Sequence, residues 1–345
     1  MEQERAILRE MLEIYSPSGQ EGELAGYLVR RMEELGFRAY QDAAGNAVGI
    51  LGEGEREIVL LGHIDTVPGF IPVRLEGDVL YGRGAVDAKG PLAAFIMACK
   101  RVGSLPGLRL VLIGAVEEEA ATSKGAQEAL CHFSPDYVII GEPSGWEHIT
   151  IGYKGRLLID FRLEREAGHS ASQEEGVCAE AVDFWKRLQG IAGRHNSGQA
   201  RLFDRLDLSL RCINSGSDGL REWVEATVGM RLPPGLEVAA LKEEILASAG
   251  DIQVNFYGEE IPFRAKKNNP LVRAFLAAIR RAGGEPTFKV KTGTSDMNVA
   301  GPAWRCPIVA YGPGDSALDH SPHERIDLKE YEKAIGVLAD VLRQL

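Results

Sequence analysis

The stretch Ile58-Val59-Leu60-Leu61-Gly62-His63-Ile64-Asp65-Thr66-Val67-Pro68 decides how the chain is read. A β-rich apolar run delivers His63 and Asp65 to its end. Residues two apart on a strand point to the same face, so an imidazole and a carboxylate stand side by side at a strand terminus. A metal-ligating imidazole needs an acceptor for its second ring nitrogen, and a carboxylate is a common choice. Taken alone, the same pattern is equally a strand end whose polar residues cap a turn. The surrounding chain has to separate the two readings.

Outward from this point, strands and helices alternate. Residues 2–14 carry Ile7, Leu8, Met11 and Leu12 at helical spacing. Ser18 with Glu21 reads as a capping box that opens a second helix, which Gly36 ends. Strands are expected at 37–40 and 46–51, helices at 91–102 and 124–132, and buried strands at 108–116 and 137–141. Continuous apolar strands between helices argue for an α/β domain with a mostly parallel sheet. From about Gly155 the style changes. Leu157, Ile159, Phe161 and Leu163 alternate as in a half-exposed strand. A helix at 174–190, strands at 206–213 and 223–231, a helix at 237–248 and a strand at 251–257 follow. That βαββαβ order is a small split-βαβ sandwich. After Lys266 the α/β style returns, with helices at 268–282 and 327–344 and strands at 287–291 and 307–311. We therefore expect a discontinuous catalytic domain, residues 1–154 and 266–345, interrupted by an inserted domain at 155–265.

Composition narrows the function classes. The 345 residues are 45% hydrophobic and 26% charged, ordinary for a globular chain of two domains. A net charge of −11 and a pI of 5.3 argue against nucleic acid or an anionic membrane as the main partner. No apolar window reaches the roughly 18 residues of a membrane span. The opening Met-Glu-Gln-Glu-Arg is acidic and helical, unlike a signal peptide. The five cysteines are odd in number and widely spaced, with no Cys-x-x-Cys pair. Neither a disulfide framework nor a thiolate zinc site is expected, and a reducing, cytoplasmic compartment is.

Carboxylates recur where strands end. Gly82-Arg-Gly-Ala-Val-Asp87-Ala-Lys-Gly90 fails as a phosphate loop, because Asp87 replaces the third Gly of Gly-x-Gly-x-x-Gly. Its glycines suit a tight turn presenting Asp87, although an Asp before a helix is also an ordinary cap. Glu117-Glu118-Glu119 ends one of the most apolar strands, whereas a solvated charge run normally sits on a polar element. In α/β sheets this edge is where sites form. Glu142 follows the 137–141 strand in the same way. Leu318-Asp-His320-Ser-Pro-His323-Glu324 adds two imidazoles, of which His323 reads as a surface residue. Five ligand candidates, His63, Asp87, Glu119, Glu142 and His320, thus lie in loops, most of them after buried strands. One bridging carboxylate with a His and a Glu on each side makes a two-zinc site with an open position for water. Such N/O ligation suits Zn²⁺, Co²⁺ or Mn²⁺.

The blocks Gly-His63-Ile-Asp65-Thr-Val-Pro, Gly-Arg-Gly-Ala-Val-Asp87-Ala-Lys-Gly, Glu117-Glu118-Glu119 and Glu142-Pro-Ser resemble the signatures of the M20 metallopeptidase family. The Asp-His320-Ser-Pro-His-Glu block and the inserted domain agree, and the resemblance runs through the whole chain in order. It implies one zinc on His63, Asp87 and Glu142 and a second on Asp87, Glu119 and His320, with Asp87 bridging. Asp65 would orient His63, and Glu118 would be the general base. Three glutamates in a row leave that register open by one residue. The family block is usually Asp-Glu-Glu, and here Glu117 occupies the Asp position. Ala167-Gly-His169-Ser-Ala resembles the block whose His reaches across a dimer, formed through the inserted lid, to stabilise the oxyanion. Met230-Arg231-Leu-Pro-Pro-Gly resembles the block carrying a substrate-side Arg, able to fork onto a carboxylate. The usual Gly-Gly-Thr-Asp loop is replaced by Thr292-Gly-Thr294-Ser295-Asp-Met-Asn298, which bears on substrate contacts and not on metal ligands.

Within the family, the short chain and the Gly-Thr-Ser-Asp-Met-Asn and Gly-Pro-Gly-Asp315-Ser-Ala blocks look most like hydrolases that act on a carrier protein. These release lysine or ornithine from the C-terminal Glu of a small acidic carrier of the LysW type. Acetylornithine deacetylase, succinyl-diaminopimelate desuccinylase and dipeptidase activities are the family alternatives, each acting on a small acylated amino acid or peptide. A metal-binding protein without catalysis is disfavoured, since all five ligands and the base are present. Serine hydrolysis is disfavoured by the lack of Gly-x-Ser-x-Gly.

Overall fold

Strand Arg56–His63 is buried from Glu57 onward, which is why its sequence is apolar throughout and not alternating. A computed structural model describes residues 2–168 and 176–345. The strand pairs in parallel with Leu108–Ala115 on one side and Tyr137–Gly141 on the other. Ile308–Ala310 adds a further parallel strand beside Tyr137–Gly141. Ala47–Leu51 and Arg38–Gln41 extend the other side antiparallel. The chain thus crosses from Arg56–His63 to Leu108–Ala115 on one side and then back past Arg56–His63 to Tyr137–Gly141 on the other. That reversal opens a crevice at the carboxyl ends of these strands.

Three glycines lie in one row across this centre. Gly62 faces Gly114 in one ladder and Gly141 in the other, at or just before the ends of the strands. The row lets helix Lys89–Val102, buried from Lys89 to Cys99, lie close against the sheet. A methyl on Gly114 would stand 2.8 Å from Ile64 Cγ2 and 3.3 Å from Leu92 Cδ2. One on Gly141 would stand 3.0 Å from both Gly62 Cα and Phe95 Cε2. Helices Glu2–Glu13 and Leu328–Gln344 pack against the outer side of that helix.

The chain divides into two compact units. The first comprises Met1–Gly152, Arg264–Val290 and Ser295–Leu345 and contains the large sheet. The second comprises Tyr153–Phe263 and Lys291–Thr294. Its strands and helices follow the βαββαβ order: Gly155–Glu166, Val177–His195, Asp207–Ser217, Arg221–Leu232, Val238–Ala249 and Gln253–Glu260. The sheet order is Asp207–Ser217, Arg221–Leu232, Gly155–Glu166, Gln253–Glu260. Leu157, Ile159, Phe161 and Leu163 point to one face, where they meet Phe184, Leu188, Leu241 and Ile245 of the two helices. Phe161 and Phe184 touch edge to face at 5.1 Å. The alternate residues Asp160, Arg162 and Glu164 lie on the opposite, polar face.

One local expectation is corrected. Ser18 and Glu21 do not form a capping box. Helix Gly22–Glu34 starts beyond Glu21, and no side chain caps it. The Ser18 hydroxyl donates to Asp65 instead, and Glu21 accepts the N–H groups of Gly19 and Glu117. Among the described residues no helix is long and apolar enough to cross a membrane. All five cysteines are free thiols.

The glycine row generates a stability prediction. Gly141→Ala forces a methyl between a backbone carbon and an aromatic ring, so it should cost about 1–3 kcal/mol and lower the urea midpoint. An unchanged midpoint would mean the helix yields freely.

Candidate active site

His63 closes its strand almost completely buried. Its Nδ1 lies 2.9 Å from the Asp65 carbonyl oxygen and 3.4 Å from Asp65 Oδ1. Both are acceptors, so Nδ1 donates and Nε2 is turned toward the rest of the cluster. Nε2 points at Asp87 Oδ1, 3.2 Å away, and lies 4.0 Å from Glu142 Oε1. The other Asp87 oxygen lies 3.1 Å from His320 Nε2, which is 2.8 Å from Glu119 Oε1. Asp87 thus sits between two imidazoles. The Asp87–Ala88 peptide is cis.

Donor atoms of His63, Asp87 and Glu142 lie within 4.8 Å of one another, and so do those of Asp87, Glu119 and His320. The five sequence-chosen ligand candidates therefore meet in two triads that share Asp87. His63, Glu118 and Glu119 form a third group of the same compactness. The set consists of imidazole and carboxylate donors without thiolate, which fits hard or borderline divalent cations.

Backbone conformation separates the three glutamates. Glu117 adopts the left-handed region, φ 57°. Its carboxylate turns away to accept from the Thr122 hydroxyl and to pair with Lys124 at 3.6 Å. The chain then presents the N–H groups of Glu118 and Glu119 to the two oxygens of Asp65, at 3.0 Å each. Ser18 Oγ donates to Asp65 Oδ2 at 2.7 Å. Asp65 is therefore an anchor for His63 and for the glutamate turn together.

Electrostatics agree with a site short of positive charge. Burial raises the Glu118 carboxyl well above the usual carboxylate range; nearby His63 opposes this, and Glu142 and Glu119 add to it. Glu119 is also raised, by burial first, although His320 opposes it. The hydrogen bonds of His320 to Asp87 and Glu119 lift its imidazole to about 10. Burial works against charging His63, yet Asp65 and Asp87 outweigh it and raise its pKa. Burial likewise opposes ionisation of Asp87, but the two imidazoles hold it well below its ordinary value. A divalent cation bound there would neutralise several of these carboxylates at once.

Arg231 Nη1 donates to Thr294 Oγ1 at 3.1 Å, within the second unit. Ser295 is buried, and its hydroxyl accepts from Met297 N–H at the start of helix Met297–Trp304. His169 lies outside the described residues. His323 is exposed.

Sequence reasoning missed Arg83 and Glu324. Glu324 is fully buried and accepts the N–H groups of Val86 and Asp87. Arg83, also buried, pairs with it at 2.9 Å. The only signal was an acid four residues beyond His320, which looks like any solvated charge.

A mixed sheet, parallel only across its centre and not for the most part as the sequence led us to expect, gathers two imidazoles and four carboxylates at the carboxyl edge of those central strands and defines a metal-dependent hydrolase of the α/β class. Residues 59–344 match the family described as Peptidase family M20/M25/M40, and the chain belongs to that family. A LysW-lysine hydrolase from Deinococcus radiodurans is 47% identical over 349 residues, spanning 99% of this chain and 96% of that protein. A LysW-lysine/LysW-ornithine hydrolase from Sulfurisphaera tokodaii is 32% identical over 352 residues, spanning 99% and 95%. The crystal structure of the M20 family metallo-carboxypeptidase Sso-CP2 from Sulfolobus solfataricus has the same fold, with a TM-score of 0.81 at 20% identity and 99% of both chains covered.

The anchor role of Asp65 is testable. In Asp65→Asn the amide nitrogen cannot accept an N–H from the glutamate turn. Cation affinity should fall about 10–100-fold, read by calorimetric titration, with the far-UV circular dichroism unchanged. Equal affinity would remove Asp65 from the organisation of the site.

Proposed function

We propose that this protein is a two-zinc amide hydrolase that releases lysine, or ornithine, from the C-terminal Glu of a small acidic carrier protein of the LysW type. The substrate reading rests on one observation, the near full-length similarity to a LysW-lysine hydrolase. The reaction reading rests on the two triads sharing Asp87. His63, Asp87 and Glu142 would hold one cation, and Asp87, Glu119 and His320 the other; Co²⁺ or Mn²⁺ fits the same donors.

Bound there, the cations supply charge that polarises the scissile carbonyl and acidifies an attacking water. Glu118 lies in the same cluster yet completes neither triad that shares Asp87. That leaves its carboxylate free to take the water proton as oxygen attacks the carbonyl carbon. As the C–N bond breaks, Glu118 returns the proton to the leaving amine, giving a free amine and a carboxylate. His63 keeps its orientation through Asp65, and Asp65 keeps Glu118 in register through the peptide N–H.

The family resemblance adds three further assignments. His169 stabilises the oxyanion, and Arg231 with Thr294 and Ser295 contacts the substrate. Residues 155–265 form the lid, through which two copies form a homodimer. The odd number and wide spacing of the cysteines support a reducing, cytoplasmic compartment.

Three outcomes test this reading. Purified, zinc-loaded protein given carrier-linked lysine, carrier-linked ornithine, N-acetylornithine and succinyl-diaminopimelate should release amino acid fastest from a carrier. Faster turnover of N-acetylornithine would overturn the substrate. Glu118→Gln should retain both cations and lose about 10²–10⁴-fold in kcat; an active variant would remove it as base. His169→Ala should lower kcat by about 10²–10³-fold at unchanged cation content, and loss of a cation would refute the oxyanion assignment.

A further inference from the structure

Two loops far apart in sequence carry Asp87 and His320, and a buried ion pair fastens them together. Glu324 Oε1 accepts the N–H groups of Val86 and Asp87, at 2.9 and 3.0 Å. Its Oε2 accepts from Arg83 Nη1 at 2.9 Å. Arg83 also donates through Nε to the Gly69 carbonyl at 2.9 Å and through Nη1 to the Ser321 carbonyl at 3.4 Å. A short antiparallel ladder runs alongside, pairing Arg325, Ile326 and Asp327 with Tyr81, Leu80 and Val79. Apart from the one to Gly69, these contacts join the 79–87 segment to the segment that follows His320.

The two imidazoles of the site are supported differently. His63 ends a central strand, is buried, and is locked by Asp65. His320 has 51% of its side chain exposed and a left-handed backbone, φ 58°. Neither packing nor regular secondary structure fixes it. A buried ion pair is a weak source of stability, because desolvation offsets the attraction. Its value lies in geometry, and here that geometry is the spacing between Asp87 and His320.

We propose that Arg83 and Glu324 are positioning residues that hold the His320 loop against Asp87 and so set cation affinity selectively in the Asp87–Glu119–His320 triad. The inference rests on the two-cation reading of the site. Neither residue belongs to a triad, and neither touches the reacting atoms. In Glu324→Gln one acceptor oxygen becomes an amide group that cannot accept. The Val86 and Asp87 N–H groups or the Arg83 guanidinium then lose their partner, and the loops are free to separate.

The test is a Co²⁺ titration of cation-free protein, followed by calorimetry and by the visible absorption of the bound ion. Wild type should take two equivalents in two steps. Glu324→Gln should weaken the second step about 10–100-fold and leave the first within about threefold. Arg83→Lys keeps the charge but not the fork, so it should fall between wild type and Glu324→Gln, which keeps the test open if the glutamine variant folds poorly. Unchanged titrations in both variants would overturn the proposal. So would equal weakening of both steps together with a lowered Tm, which marks a purely structural pair. Wild type binding a single equivalent would instead sink the two-cation reading itself.

Discussion

The carboxylate of Asp65 is the interaction on which the site depends. It is fully buried, and a buried charge persists only where it is compensated. Burial favours its neutral form, but His63, the Ser18 hydroxyl and the Glu119 N–H outweigh burial and keep it ionised. Its two oxygens collect three separate parts of the chain: the loop after Arg56–His63, the glutamate turn after Leu108–Ala115, and the Ser16–Gly19 region. Removing the charge leaves two peptide N–H groups and a hydroxyl without their acceptor, each costing about 1–3 kcal/mol when buried. The anchor is built from the protein's own hydrogen bonds. It organises the donors in advance, and the cost of gathering like charges is met by folding.

The sheet explains why the anchor is where it is. Adjacent parallel strands end at the same level, so residues following them converge without any special loop. His63, Glu117–Glu119 and Glu142 arrive in this way. The glycine row beneath them lets the helix that follows Asp87 lie against the sheet, which brings Asp87 to the same edge. Only His320 comes from a loop lacking that support, and it is the more exposed of the two imidazoles in the cluster.

Much of this was legible in the sequence, for reasons that differ by residue. Apolar runs ending in a charged residue exposed the strand ends, so His63, Glu142 and the glutamate cluster could be placed from pattern alone. The roles within Glu117-Glu118-Glu119 could not, because identical side chains carry no register. The left-handed turn at Glu117 separates them, and φ is invisible in a run of like residues. The three-residue strands Arg74–Glu76, Val79–Tyr81 and Arg325–Asp327 are too short for any periodicity to show. Helix Met297–Trp304 carries Pro302 inside it and reads as a loop. Arg83 and Glu324 escaped for a further reason: a buried ion pair and two solvated charges are written with the same letters, and only the fold tells them apart.

The contrast between the two imidazoles bears on how the site can work. A donor set must hold its cations firmly yet let substrate and water reach them. A site built wholly on strand ends would meet the first demand and resist the second, since every donor would be buried. Here the His63 side is closed by the sheet, and the His320 side meets solvent through a loop. Solvent therefore reaches the donor set at His320, on the side where the protein is least rigid by secondary structure. Rigidity on that side has to come from elsewhere, and the buried contacts of Glu324 with the Asp87 loop provide it without closing that side. Openness and order at one imidazole are thus met by separate groups, the exposed ring of His320 and the buried carboxylate four residues beyond it.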